Sequence, residues 1–249
     1  MTTTDLPPPP PPGAAAPKPN SFERIAGVLI SPNETFVSIA RQPDWVVPLV
    51  ILLVVSLIGG IVFAQRVDFG APIREAMEEN KNMPPDAAER AVRIGSSVAK
   101  VLSYCAPVVS VIVLLIIAAV LLLAFRLMGG EGNFLQAFAV TVYAWMPGVI
   151  KSIIMTVIVA ARSNVTALDL ATLVRSNLAF LVSMKEHPIA FTLLSSLDIF
   201  TVWLLALLII GFSYVSKFSK AKSAAIVITL WVIATLFKLI GPAMRALRG

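Results

Sequence analysis

Cysteine, histidine and charge are the scarce features of this chain. The one cysteine, Cys105, excludes an intramolecular disulfide framework and any multi-cysteine zinc or iron–sulfur site. The one histidine, His187, removes most histidine-based metal and triad chemistry. Charged residues make up 14% of the chain against 57% hydrophobic, where an ordinary soluble domain carries about a quarter charged. At a mean hydropathy of +0.86 there is more apolar surface than a soluble fold can cover. Sequence signatures of catalysis are missing too: there is no HExxH, no G-x-S-x-G and no Walker lysine after a glycine-rich loop. No catalytic, cofactor-binding or metal-ligating residue is assigned, and the chain is read as non-enzymatic. The net charge of +6 suits anionic lipid headgroups, and no motif turns it toward nucleic acid.

Long apolar runs are what the sequence does have. A helix crossing hydrocarbon needs about 20 mainly apolar residues, because no water is there to satisfy its backbone. Stretches 45–65 and 101–125 carry no charge. Three more follow at about 134–160, interrupted by Pro147, Gly148 and Lys151, at 189–214 with Asp198 inside, and at 224–241 with Lys238 inside. One ionisable residue costs a few kcal/mol on insertion scales, which several Leu and Ile offset. The expectation is an all-α polytopic integral membrane protein with five transmembrane helices plus short amphipathic interfacial helices. Residues 1–20, with proline at every position from 7 to 12, read as a disordered polyproline-rich tail. The membrane domain takes up 21–249. The first apolar run begins too late for a cleaved signal peptide, so span one is expected to be its own targeting signal.

The connecting segments carry helix signals. Asn20 followed by Glu23 has capping-box spacing, with Phe22, Ile25 and Leu29 on one face. Ser31-Pro32-Asn33-Glu34 places Ser at N-cap, Pro at the first helical position and Glu at the third, and Phe36, Ile39 and Ala40 supply an apolar face. Pro43 stops that helix, Trp45 is an interfacial aromatic, and Pro48 lies in the opening turn of span one. From Pro85, Asp86 and Glu89 precede Arg90, Arg93 and Lys100, and Ala91, Ile94 and Val98 form a stripe, which predicts an amphipathic helix feeding span two. A second such segment begins near Thr166 and Asp169 and carries Leu170, Leu173, Val174, Leu178 and Leu181. The glycines between 129 and 132 read as a tight turn, His187 before Pro188 as a helix terminator, and Glu78 and Glu79 as a solvated face. The sequons at Asn33 and Asn164 matter only if they face a secretory lumen.

Pro32 with Phe36, then Pro43, Trp45 and Pro48, followed by 130–134 with Gln136, Tyr143 and Pro147, and then Asp198, Phe200, Trp203 and Gly211, resemble in order and spacing the Yip-one domain family of Ypt-interacting proteins, including its bacterial-type members. The resemblance covers about residues 21–245. It implies a five-span helical domain with a cytosolic N-terminus. In eukaryotic members it also implies early secretory membranes and small prenylated GTPases, and small-GTPase binding enters through this resemblance alone. The expected location is a bacterial inner membrane, or a secretory-pathway membrane in a eukaryote. Charge counting opposes the family orientation. With the N-terminus inside, seven Lys or Arg fall on the cytosolic side and twelve opposite, yet the densest basic connection, Lys217, Lys220 and Lys222 without an acid, is cytosolic.

Lys151, Asp198 and Lys238 form the remaining signal. Spans three to five alternate direction, so these residues approach one face of the membrane, and a charge in hydrocarbon seeks a partner, which predicts an ion pair of Asp198 with Lys151 or Lys238. Two functions compete for this cluster. One is a non-enzymatic organiser or adaptor in trafficking or envelope homeostasis, partnered by the bilayer and by other membrane proteins or copies of itself. The other is a small transporter or channel-like subunit built on the cluster.

Overall fold

The computed structural model describes residues 20–79 and 84–246. Residues 1–19, nearly all of the Pro-rich tail, and the side chains of Glu78 and Glu79 lie outside the described residues. Twelve α-helices and one two-strand ladder follow in order within the described residues: α1 Ser21–Ile30, α2 Pro32–Arg41, α3 Val46–Arg66, β1 Val67–Asp68, α4 Ala71–Glu79, α5 Pro85–Tyr104, α6 Ala106–Leu127, α7 Phe134–Ala144, α8 Met146–Ala161, β2 Val165–Thr166, α9 Leu170–Leu173, α10 Pro188–Ser196, α11 Ile199–Ser216 and α12 Lys220–Ala246. Five helical segments are long and apolar enough to cross a membrane: α3, α6, the kinked α7–α8 pair, α11, and α12 as far as Met244. The protein is an all-α integral membrane protein.

The N-terminal hairpin forms for local reasons. Asn20 and Glu23 complete a capping box on α1. The fully buried residues of α1 are Arg24 and Val28; of the expected stripe Ile25 and Leu29 are half-buried against the core, while Phe22 is 63% exposed and points outward. Ser31 holds the N-cap position of α2 and Pro32 its first turn, but the Ser31 side chain makes no capping bond; its carbonyl instead accepts from the Thr35 hydroxyl at 3.0 Å. Phe36, Ile39 and Ala40 are buried. They meet α7 and α11 where Gly211 permits it: a Cβ on Gly211 would stand 2.3 Å from Val140 Cγ1 and 3.0 Å from the Phe36 ring. Phe125 stacks on Phe212 at 4.9 Å between centroids, and Tyr143, Leu207 and Val227 complete this core. The turn between α6 and α7 uses Gly129 and Gly132 at φ +85° and +105°, conformations that favour glycine.

Breaks in the helices depart from the sequence reading. Span two begins at Ala106, not at 101, because Pro107 has no N–H to offer the Ser103 carbonyl. That carbonyl faces Gly60 of α3, where a Cβ would lie only 2.0 Å away. In α5 the Ile94 and Val98 side chains are 57% and 53% exposed, so the apolar stripe faces outward, away from the rest of the protein. Span three is kinked at Trp145 by Pro147 in the same manner as span two. Span four is shorter than 189–214: α11 starts at Ile199 and α10 is a separate helix packed on α12. Span five is longer than 224–241, at Lys220–Ala246.

The expected amphipathic helix after Thr166 is reduced to four residues and one 3-10 turn, Ala179–Leu181. Local side-chain bonds displace it: Asp169 accepts from the Thr166 N–H and hydroxyl, and Asn177 accepts from the Ala179 N–H. His187 opens α10 at its N-cap position and does not terminate a helix. Pairing of Val67 with Val165 and Asp68 with Thr166 ties together the ends of spans one and three.

Candidate functional site

Asp198 occupies the gap between α10 and α11, with its side chain 5% exposed. Its extended backbone (φ −114°, ψ 161°) aims the carboxylate at the first turn of α11. There Oδ1 accepts from the Phe200 N–H at 2.8 Å and the Thr201 N–H at 3.0 Å. Oδ2 accepts from the Thr201 hydroxyl at 3.1 Å and from Lys151 Nζ at 2.8 Å. One residue therefore caps span four and ties it to span three. Backbone bonds join the same point to the preceding loop, since the Ile199 N–H donates to the Ser176 carbonyl at 3.1 Å and Asn177 bridges Asp198.

Of the three ionisable residues expected together, the structure joins two. Lys151, 29% exposed, pairs with Asp198. Lys238 is exposed on α12 and makes no ion pair among the described residues. It is placed to extend along the helix toward the interface, as long basic side chains near helix ends do.

Two polar groups emerge that the sequence reading did not single out. Arg24 on α1 is 5% exposed and donates from Nη1 to the Gln42 carbonyl at 2.9 Å, clasping α1 under the α2–α3 turn. The Tyr143 hydroxyl lies within interaction range of Arg24, Asp44 and Ser21. Nearby, Ser21 donates to Asp44, and Gln136 Nε2 on α7 donates to the Ala40 carbonyl at 2.7 Å. The second group is a hydroxyl-lined cleft among α3, α6 and α8, where Ser56 and Ser110 lie 3.2 Å apart. Pro107 and Pro147 each follow a kink that borders the cleft, but nothing local in the sequence marks its serine lining.

Chemically, the Asp198 carboxylate has four donors on two oxygens and no free coordination position. Among the described residues no group of three or more His, Cys, Asp or Glu stands together. The other landmark residues pack rather than react. Trp45 meets Phe138 edge-on at 5.4 Å, Pro48 is buried in the first turn of α3, Pro43 lies in the α2–α3 turn, Trp203 borders the core and Phe36 covers Gly211.

A family model, the Yip1 domain, matches residues 26–241. The chain belongs to the Yip1 family. Comparison with curated proteins gives no match, and no solved structure matches. The Yip1 match takes in every landmark from Pro32 to Gly211, and with it the Lys151–Asp198 pair, the three serines of the cleft and nearly the whole five-span framework. Among the described residues, only Asn20, the start of α1 and the end of α12 fall outside it.

Proposed function

We propose that this Yip1-family protein is a non-enzymatic membrane organiser or adaptor, with its N-terminus in the cytosol, acting through contacts with other membrane proteins or with copies of itself. The observation that carries this reading is the saturation of Asp198. Both oxygens are engaged by groups of spans three and four, which is how a tie between helices is built. A substrate or ion site needs ligand positions left open, and a buried charge without them is costly. Interfacial α1 and α2, the outward-facing α5 and a broad exposed surface on α12, including Val232, Leu236 and Phe237, give such a protein faces to present within and along the bilayer. A bacterial inner membrane is the proposed location. Small-GTPase binding rests on family resemblance and is not carried into the proposal.

The test is site-specific photocrosslinking from Val232 and Phe237 in native membranes, followed by mass spectrometry. Discrete protein adducts that survive dilution of the membrane support an adaptor. Lipid adducts alone, together with an Asp198→Asn variant that keeps its folded yield and alters solute uptake, refute it and favour the transporter reading.

A further inference from the structure

A cleft opens between span one and the two proline kinks. Its inner end, of about 100 Å³, is lined by Ser56, Ser110, Ser152 and Trp145. Its outer part, of about 390 Å³, shares Ser56 and Ser152 with the inner end and continues along Gly59, Gly60, Phe63 and Leu102. The two volumes adjoin at these two serines, a small polar end beside a larger apolar body.

The polar end has hydrogen-bonding capacity to offer. Ser56 and Ser110 bond to each other at 3.2 Å, which leaves one hydroxyl proton of the pair and several lone pairs free. Ser152 Oγ and Trp145 Nε1 have no hydrogen-bond partner among the described residues. The indole N–H edge is folded over Gly148, 3.3 Å from where a Cβ would stand, and so sits on the wall of the cleft. A donor without a partner inside a bilayer is costly, so an acceptor placed here is favoured. The lining contains no Lys, Arg, Asp, Glu or His, which penalises carboxylates, phosphates and ammonium groups, since a charge without a counter-charge in a low dielectric is strongly disfavoured. At roughly 30 Å³ per water-sized group, the inner end admits a head of about three heavy atoms. The outer part falls within the usual range for a small-molecule site, roughly 300–1,000 Å³. Gly59 and Gly60 line it and let the neighbouring helices approach span one closely, since a Cβ on Gly59 would reach Thr156 Oγ1 at 3.0 Å and one on Gly60 the Ser103 carbonyl at 2.0 Å.

We propose that this cleft binds an uncharged amphiphile, a hydrocarbon chain carrying one terminal hydroxyl or carbonyl group, with that group between Ser152 and the Trp145 N–H and the chain along the glycine face of span one. The site is independent of the adaptor reading.

The experiment uses the full chain reconstituted in phosphatidylcholine vesicles and a diazirine-bearing octanol as photolabel, with the matching diazirine octanoate as the charged control. Saturable labelling by the alcohol in peptides holding Ser56, Ser152 or Leu102, competed by unlabelled long-chain alcohol and absent with the carboxylate, is the expected result. Ser152→Leu fills the inner end and abolishes the saturable fraction. Ser152→Ala keeps the space and weakens labelling about two- to tenfold, the range for one neutral hydrogen bond. If the Leu variant does not fold, the Ala variant and Ser110→Ala carry the test. Non-saturable labelling spread over the exposed helix faces, equal labelling by the carboxylate, unchanged labelling in the Ala variants, or a crosslink from the cleft to a neighbouring helix overturns the proposal.

Discussion

Asp198→Asn isolates the charge of the span three–span four tie from its geometry. Asparagine is as good an N-cap as aspartate, so the Phe200 and Thr201 N–H groups keep their oxygen acceptor at 2.8 and 3.0 Å. The new amide donates to the Thr201 hydroxyl and turns a second donor toward Lys151. What disappears is the charge 2.8 Å from Lys151 Nζ. Two charges about 4 Å apart attract by about 4 kcal/mol at an effective dielectric of 20, and removing one partner of a fully buried pair costs about 3–5 kcal/mol. Lys151 is 29% exposed and recovers part of its solvation by swinging outward, so the expected loss is about 1–3 kcal/mol. Asp198→Asn combined with Lys151→Gln leaves no orphaned charge and should restore at least about 1 kcal/mol of that loss. Reversible unfolding in mixed micelles followed by far-ultraviolet circular dichroism reads both numbers. Single and double effects that add to within about 0.5 kcal/mol refute the tie, whatever the distance in the structure.

Four further outcomes are expected. Gly211→Ala forces a methyl to within 2.3 Å of Val140 Cγ1 and 3.0 Å of the Phe36 ring and should cost about 1–3 kcal/mol in the same unfolding assay, the usual range for overpacking. Gln136→Ala removes the bond to the Ala40 carbonyl and half of the α7 capping box, a loss of about 1–2 kcal/mol, read as faster proteolysis at the α2–α3 turn. Lys238→Gln changes stability by less than about 0.5 kcal/mol, as an exposed residue away from packed or capped positions should. In a Cys105→Ser background, a cysteine at Lys220 resists an impermeant thiol reagent added outside intact cells while one at Ser163 reacts; the reverse pattern inverts the orientation.

The five-span fold was legible because hydropathy acts through length and composition, and neither depends on which residues touch. The α2 core face was legible for a related reason: Pro32 in the first turn and the spacing of Phe36 with Ile39 and Ala40 are local rules, and the local and tertiary preferences agree there. Elsewhere they conflict. Phe22 satisfies the helical period of α1, but Arg24 takes the inner position because the Gln42 carbonyl offers it a partner, a contact 18 residues away that no periodicity reveals. The stripe after Thr166 has helical spacing, yet Asp169 and Asn177 take the backbone groups a helix would need. The serine cleft was not legible, because its lining comes from three spans and becomes a site only when the kinks at Cys105 and Trp145 hold those spans apart.

Asp198 and Lys238 show what a charge within an apolar run means for the helix that carries it. From sequence, both lie inside continuous spans. Asp198 is flanked by Ser195, Ser196 and Thr201, and its short carboxylate reaches the N–H groups two and three residues ahead. That is capping geometry, so the run divides into α10 and α11 at that residue. Lys238 lies between Phe237 and Leu239, has only donors on a long stem, and cannot satisfy a backbone N–H. Helix α12 therefore runs through it without a break, and its ammonium must leave the helix for solvent. The side-chain chemistry of the charge and of its neighbours, more than the charge itself, decides between a broken helix with a buried tie and an unbroken one with an exposed lysine. The same test applied to Lys151, whose neighbour Ser152 bonds no backbone N–H, places it on an unbroken α8, where it needs a partner from another span. Asp198 is that partner.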